Sequence, residues 1–436
     1  MDAVKVGLLG VGTVGGGTLN VLRRNSEEIF RRAGRAIAIE RAVVRDRTKS
    51  RICVVEGIQL SDDPLSVVDD PGIQIVAEFI GGLEPARTLI LRAIAHGKHI
   101  VTANKAVIAL HGNEIFDAAH KEGVMVAFEA AVAGGIPVIK TVREAMAGNR
   151  VEWLAGIING TSNFILSDMY HQDRTFDEAL AQAQQLGYAE ADPRFDIDGT
   201  DAAHKLTILS AIAFGIPLQF DKVYREGIDR IHSDDVAYAR QLGYRIKHLG
   251  IARHTGERIE LRVHPALVPE RRLLANVDGV MNAVLIKGDA AGPMVLYGAG
   301  AGAEPTASAV VADLVDVVRA LTADPGNRVP HLAFQPDALS DRSIARMEEV
   351  ETAYYLRISA LDRPGVLADV TRILGDLEIS IEAIRQQEPS GEQTHVPIVI
   401  LTHRVHEQAI NQAIARIQGL ESIQGDVMRI RLETLE

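Results

Sequence analysis

Apolar and polar positions alternate along this chain in three distinct regimes. The first begins with VKVGLL at residues 4–9, an apolar run too short for a buried helix and closed by glycines, which predicts a strand. A glycine turn at residues 10–15 and a helix-like stretch to residue 33 follow it. Further strands are expected at 36–46, 73–81 and 99–105, each next to a helical pattern, which is the α/β alternation of a parallel sheet. From 150 to 310 strand-like segments (VEWLAGIING, ERIELRVHPALV, NAVLIKG) are interspersed with helices, as in an α+β layer. Among these helices, LTILSAIAFG at 206–215 is apolar nearly all round and should be buried. GAGAG at 298–302 turns into another apolar helix. A stretch with Pro325, Pro330 and Pro336 reads as a linker over 323–350. The third regime restarts at 354 and gives strand, helix, two strands, helix and strand, a βαββαβ unit, with its first helix marked by Val366, Leu367, Val370, Ile373, Leu374 and Leu377.

Three places in this pattern carry chemistry. The turn Gly10-Val11-Gly12-Thr13-Val14-Gly15 lies between a strand and a helix, the context in which GxGxxG lets a backbone approach a pyrophosphate at a helix N-terminus. The second strand ends at Arg45-Asp46, where such folds meet the adenosine ribose. The acid would hold the ribose hydroxyls of NAD and the arginine a 2′-phosphate, and Arg45, with Arg47 and Lys49 beyond it, favours NADP over a run of ordinary loop charges. Lys105 stands past the end of a parallel strand, the edge at which open α/β sheets bind ligands.

The third place is AQAQQLGYAEADPRFDIDGTDAAHK, residues 181–205, where Glu190, Asp192, Asp196, Asp198 and Asp201 run into a helix carrying Lys205. Gly187 closes one helix and Pro193 bars helix before the next, so Asp201 and Lys205 fall one turn apart on one face. On a surface such a pair contributes only ~0.2–0.5 kcal/mol. An ammonium at the mouth of a buried helix instead suggests carboxylates that hold a cationic substrate and a lysine that moves a proton.

Composition narrows the field. At 436 residues the chain has room for about three domains, and 47% hydrophobic with 24% charged residues is a soluble globular balance. A net charge of −12 argues against nucleic acid or an anionic membrane as partner. No apolar run approaches the ~18 residues of a membrane span, and the N-terminus reads as a strand rather than a signal peptide. Cys53 is the one cysteine, which excludes an internal disulfide and suits a reducing, cytoplasmic compartment.

Ala183, then Gly187-Tyr188-Ala189, Asp192-Pro193, Asp196-Ile197, Gly199, Asp201 and Lys205 together resemble the signature of homoserine dehydrogenases, and the likeness covers residues 4 to about 320. It implies a Rossmann NAD(P)-binding domain over 1–135, completed by a helix at 305–322, and an α+β substrate-binding, catalytic and dimerisation domain over 136–304. It implies interconversion of L-aspartate 4-semialdehyde and L-homoserine on the way to threonine and methionine. Lys205 would be the proton donor, Lys105 a second lysine near the reacting oxygen, and Asp201 their partner. Glu190, Asp196, Asp201, Gly160 and Thr161 would bind substrate, and Lys105, Gly187 and Gly302 would touch the cofactor. Glu129, Val132, Gly134 and Ile136 match a site for a monovalent cation such as sodium, held largely by backbone carbonyls. Residues 351–436 resemble the amino-acid-binding ACT modules through Asp362, Pro364 and Gly365. L-threonine is therefore the expected effector, and a homodimer or homotetramer the expected assembly.

Two other readings compete. An aldehyde-oxidising, acyl-forming dehydrogenase such as aspartate-semialdehyde dehydrogenase needs a cysteine nucleophile in the substrate half, and Cys53 lies in the nucleotide half. A non-enzymatic sensor of cofactor and amino acid would have no use for Lys105, Asp201 and Lys205 together. No kinase-like segment precedes the glycine turn, so a fused aspartokinase is not expected.

Overall fold

The computed structural model describes residues 2–325, 328–386 and 394–435. They form two compact units. The first comprises Met1–Gly160, Asp201–Val223 and Val280–Arg342, the second Thr161–Thr200, Tyr224–Gly279 and Ser343–Glu436, so residues 136–304 contribute to both.

The first unit holds a six-stranded parallel sheet: β1 (Val4–Leu9), β2 (Ile37–Val43), β3 (Gln59–Ser61), β4 (Ile75–Glu78), β5 (His99–Thr102) and β6 (Val126–Ala127), in the order β3-β2-β1-β4-β5-β6. This is the expected Rossmann arrangement, with its topological switch between β1 and β4. Register places Leu9, Val43, Glu78 and Thr102 in one row at the C-terminal ends of β1, β2, β4 and β5. The helix Ala303–Ala320 returns to this sheet, two residues ahead of its expected start. Its Val310, Leu314, Val317 and Val318 share a core with Val4, Val6 and Leu8 of β1 and Leu19 and Leu22 of the first helix, Thr13–Arg24. The close packing depends on Gly17, where a Cβ would lie 2.3 Å from the Ala303 carbonyl oxygen. An antiparallel ribbon of Val151–Ile157, Met281–Gly288 and Gly292–Ala299 also belongs to this unit. The expected apolar helix runs from Thr200 to Phe214 and is buried from Asp201 onward.

The second unit pairs the long hairpin Tyr244–Thr255 and Arg258–Pro269 with the strands of the βαββαβ module. Within that module the order is Met428–Leu432, Glu351–Leu361, His395–Thr402, Ile381–Gln386, that is, fourth, first, third, second, and all neighbours are antiparallel. Period-2 alternation gives the sheet two apolar faces. Tyr354, Leu356, Ile358 and Ala360 pack on the helices Val366–Asp376 and Glu407–Gln418. Tyr355, Leu401, Ile430 and Leu432 pack on Ile165, Leu166 and Met169 of the helix Gly160–Gln172. The expected Ile381–Gln386 strand is present, and residues 387–393 beyond it lie outside the described residues.

Candidate active site

At the C-terminal edge of the parallel sheet, β1 runs into the glycine turn. Gly10 adopts φ +107°, and a Cβ there would come within 3.0 Å of the Phe79 carbonyl oxygen. A Cβ on Gly15 would strike the Gly10 carbonyl at 2.3 Å. Val11 turns its side chain into the core, whereas Gly12 and Thr13 are exposed and nothing lies within 4 Å of where a Gly12 Cβ would be. An open, side-chain-free turn at the first amides of the helix Thr13–Arg24 suits a pyrophosphate, so the residues present fit a dinucleotide. Val14 is half buried beside the same core.

Arg45 lies two residues beyond the end of β2 and is exposed. The neighbouring Asp46 carboxylate is already engaged, accepting from Thr48 N and Oγ1, each at 2.7 Å. These bonds hold the Asp46 carboxyl below its usual range. Gly302 takes φ +127° ahead of the returning helix.

Asp201 is the centre of a second constellation. It is 2% exposed, and three side chains converge on it. Lys105 Nζ meets Oδ1 at 2.7 Å, while Lys205 Nζ and Asn159 Nδ2 meet Oδ2 at 2.7 and 2.8 Å. Lys205 also donates to the Ile158 carbonyl at 2.7 Å. Burial alone would raise the Asp201 carboxyl, but the two ammoniums outweigh it and hold the group well below the carboxylate range. Local structure brings the parts together. Asp201 and Lys205 are i,i+4 on one helix, Ile158 and Asn159 follow the strand Val151–Ile157, and Lys105 is the first residue of a helix capped by Asn104. The lysines differ in access, with side-chain exposures of 11% for Lys205 and 35% for Lys105. An ammonium held by a buried carboxylate yet reachable from outside is equipped to exchange a proton with a bound carbonyl or hydroxyl.

Asn159 had no role in the sequence reading, which singled out its neighbours Gly160 and Thr161. A Cβ on Gly160 would lie 2.8 Å from the Val280 carbonyl oxygen, so that glycine permits a close backbone approach. In the second unit, Thr161 Oγ1 donates to the Tyr188 carbonyl at 2.7 Å and Ser162 Oγ to the Asp196 carbonyl at 3.0 Å. The first turn of that helix therefore fixes the loop that carries Glu190, whose side chain is exposed, and Asp196, which is half buried. Gly187, at φ +75°, is an exposed turn residue after the helix Phe176–Gln185.

Around the expected cation turn, the Glu129 carboxylate accepts the Ile139 and Lys140 amides at 2.9 and 2.8 Å and is 2% exposed. Ala133 and Gly134 both take left-handed φ values, +53° and +44°. The Ile136 carbonyl accepts Val138 N at 2.7 Å and the Glu129 carbonyl Val132 N at 3.4 Å, each keeping a second lone pair. These residues offer a cation backbone carbonyls with free lone pairs, while each oxygen of the Glu129 carboxylate already accepts one amide.

A dinucleotide cradle, two lysines on one buried carboxylate and an antiparallel βαββαβ module are the parts of a nicotinamide-dependent oxidoreductase with an added C-terminal module. Residues 137–315 match the family model "Homoserine dehydrogenase", residues 10–129 "Homoserine dehydrogenase, NAD binding domain" and residues 354–422 "ACT domain". The chain is 61% identical to a homoserine dehydrogenase of Pseudomonas aeruginosa and 52% to one of Neisseria gonorrhoeae, each alignment covering all of both chains. A homoserine dehydrogenase structure from Thiobacillus denitrificans superposes with a TM-score of 0.95 at 64% identity, over 100% of this chain and 99% of that one. A Staphylococcus aureus homoserine dehydrogenase gives 0.77 at 30% identity, over 99% of both. The chain belongs to the homoserine dehydrogenase family and is an oxidoreductase with a C-terminal ACT domain. No described helix is long and apolar enough to cross a membrane.

Proposed function

We propose that the protein interconverts L-aspartate 4-semialdehyde and L-homoserine with NADP as preferred cofactor, and that L-threonine acts on it through the ACT domain. The observation that carries the chemistry is the sharing of one buried carboxylate, Asp201, by two ammoniums, Lys105 and Lys205. The bound nicotinamide supplies the hydride in the reducing direction and accepts it in the other. Lys205 Nζ gives its proton to the aldehyde oxygen during reduction and recovers one from the hydroxyl during oxidation. Asp201 and the Ile158 carbonyl both accept from that amine and fix its direction. Lys105 adds a second positive charge where the oxygen becomes negative. Glu190, Asp196, Asp201, Gly160 and Thr161 bind the polar groups of the substrate.

NADP is favoured because Asp46 is occupied by Thr48 while Arg45 remains exposed for a 2′-phosphate. A monovalent cation such as sodium would rest on the carbonyls of Glu129, Val132, Gly134 and Ile136 and stiffen that crossover. The reading includes a place on the route to threonine and methionine and a homodimeric or homotetrameric assembly. It also includes the cytoplasm, in keeping with the lone Cys53.

Steady-state oxidation of homoserine, followed by nicotinamide absorbance with NADP and NAD in turn and with and without threonine, tests the activity, the cofactor preference and the effector. The expected result is turnover with both cofactors, a higher kcat/KM with NADP, and inhibition by threonine. Cofactor binding without turnover would make the protein a sensor. Equal kcat/KM for the two cofactors would remove Arg45 from the site. A rate indifferent to saturating threonine would leave the module without that effector.

A further inference from the structure

Glu78, at the end of β4, is completely buried, yet no cation is paired with it among the described residues. Three donors surround its carboxylate. Ile80 N and Gly81 N reach Oε1 at 2.7 and 3.3 Å, and the Thr102 hydroxyl reaches Oε2 at 2.7 Å. Thr102 is the register partner of Glu78 on β5, so the pair is set by the sheet itself. The same Thr102 oxygen that donates its proton to Glu78 accepts Asn104 N at 3.0 Å through a lone pair. Asn104 then caps the helix that Lys105 begins, accepting Val107 N at 3.3 Å through Oδ1 and donating to the Gly82 carbonyl at 2.8 Å through Nδ2. On its other side the loop held by Glu78 abuts the glycine turn, since the Phe79 carbonyl is what a Cβ on Gly10 would meet and Phe79 N donates to Leu9 O at 2.8 Å.

We propose that Glu78, acting through Thr102 and Asn104, is a positioning residue that ties the placement of the Lys105 ammonium to the cofactor turn. An ionised carboxylate at this spot costs desolvation, and a neutral amide of the same shape would cost less. Glutamine is not equivalent, however, because its NH₂ would either confront the Ile80 and Gly81 amides, which can only donate, or force the Thr102 hydroxyl to turn from donor to acceptor. The acceptor at Glu78 sets where the Thr102 hydroxyl sends its proton, and with it the orientation of the oxygen that receives the Asn104 amide. The inference rests on the catalytic role proposed for Lys105.

The test is a double-mutant cycle on the full-length protein, with Thr102→Val, Glu78→Gln and Lys105→Met alone and in combination, reading kcat and KM for homoserine together with melting temperature and cofactor Kd. Thr102→Val and Glu78→Gln should each lower kcat about tenfold or more, the scale of a misplaced catalytic group, with a smaller change in the KM for homoserine. In the Lys105→Met background, which should retain measurable turnover, either substitution should change kcat less than twofold, and Thr102→Ser, made with Lys105 in place, should keep the wild-type rate. Equal losses of kcat in both backgrounds would reduce Glu78 to a structural residue and overturn the proposal. So would wild-type kcat in both Thr102→Val and Glu78→Gln. Lys105→Met with unaltered kcat would instead remove Lys105 from the mechanism and this inference with it. Should Thr102→Val not fold, the Glu78→Gln and Thr102→Ser arms decide the same question.

Discussion

Two buried clusters of charge in this chain are built from similar parts and differ in balance and access. In the first unit, two lysines share the single carboxylate of Asp201. In the second, two arginines face two carboxylates. Arg431, with no exposed side-chain surface, meets Glu407 at 2.5 and 2.9 Å and Glu226 at 2.8 Å, and Arg429 meets Glu407 at 2.8 Å. Tyrosine hydroxyls complete that set, Tyr354 donating to Glu407 at 2.7 Å and Tyr224 to Glu226 at 2.8 Å. Charge there is balanced and the bonding saturated, and guanidinium groups do not give up protons. The Asp201 cluster has one positive charge in excess, uses the side chain that can release a proton, and leaves Lys105 a third exposed. Balance suits holding the β-module together; surplus and access suit a reaction.

The largest effect that follows is on Lys205. Lys205→Ala should lower turnover by ~10²–10⁴-fold while cofactor affinity and melting temperature stay close to wild type, because Lys105 remains to compensate Asp201. Lys205→Arg sharpens the contrast, since it keeps the charge but not an exchangeable proton, and should be nearly as inactive as the alanine variant. Steady-state kinetics beside a melting curve check both. A loss of less than tenfold in Lys205→Ala would place Lys205 with the structural pairs of the second unit.

Arg431→Met should show the opposite signature. It leaves Glu407 and Glu226 without their main counter-charge, a loss of about 3–5 kcal/mol for a broken buried pair. Denaturant unfolding should register it, while kcat per folded site changes less than twofold. A stable Arg431→Met protein with a lost rate would reverse the roles assigned to the two clusters.

What could be read from the chain beforehand follows the same division. Asp201 and Lys205 were legible because four residues separate them on one helix, and the β1 turn because its glycines are contiguous. Lys105 was placed by its position after a strand. Asn159 was passed over, since its contact with Asp201 spans 42 residues and depends on how a strand end meets a helix. Glu78 was hidden inside an expected strand, 73–81. That strand stops at Glu78 because its own side chain claims the Ile80 and Gly81 amides and bends the chain into a loop. In the second unit, the order of the βαββαβ elements was plain from period and turns. The arginine cluster was not, because Arg431 and Glu226 are 205 residues apart and neither sits in a motif.

The smallest expected effect lies at the rim of the balanced cluster. Arg429 reaches Glu407 at 2.8 Å and Glu226 at 3.4 Å, but its side chain is 19% exposed, and Arg431 already holds both Glu407 oxygens, at 2.5 and 2.9 Å. Removing it leaves each carboxylate with a guanidinium and a tyrosine hydroxyl, and water can reach the position it vacates. Arg429→Met should therefore cost about 1 kcal/mol or less, as for a partly exposed pair, against the several expected for Arg431→Met. If the two substitutions cost the same in denaturant unfolding, the cluster would behave as one indivisible unit, and balance between particular partners would not explain it. If the Arg429→Met loss instead faded in high salt while the Arg431→Met loss persisted, the division into a screened rim and a dry centre would hold, because salt weakens exposed pairs and spares buried ones.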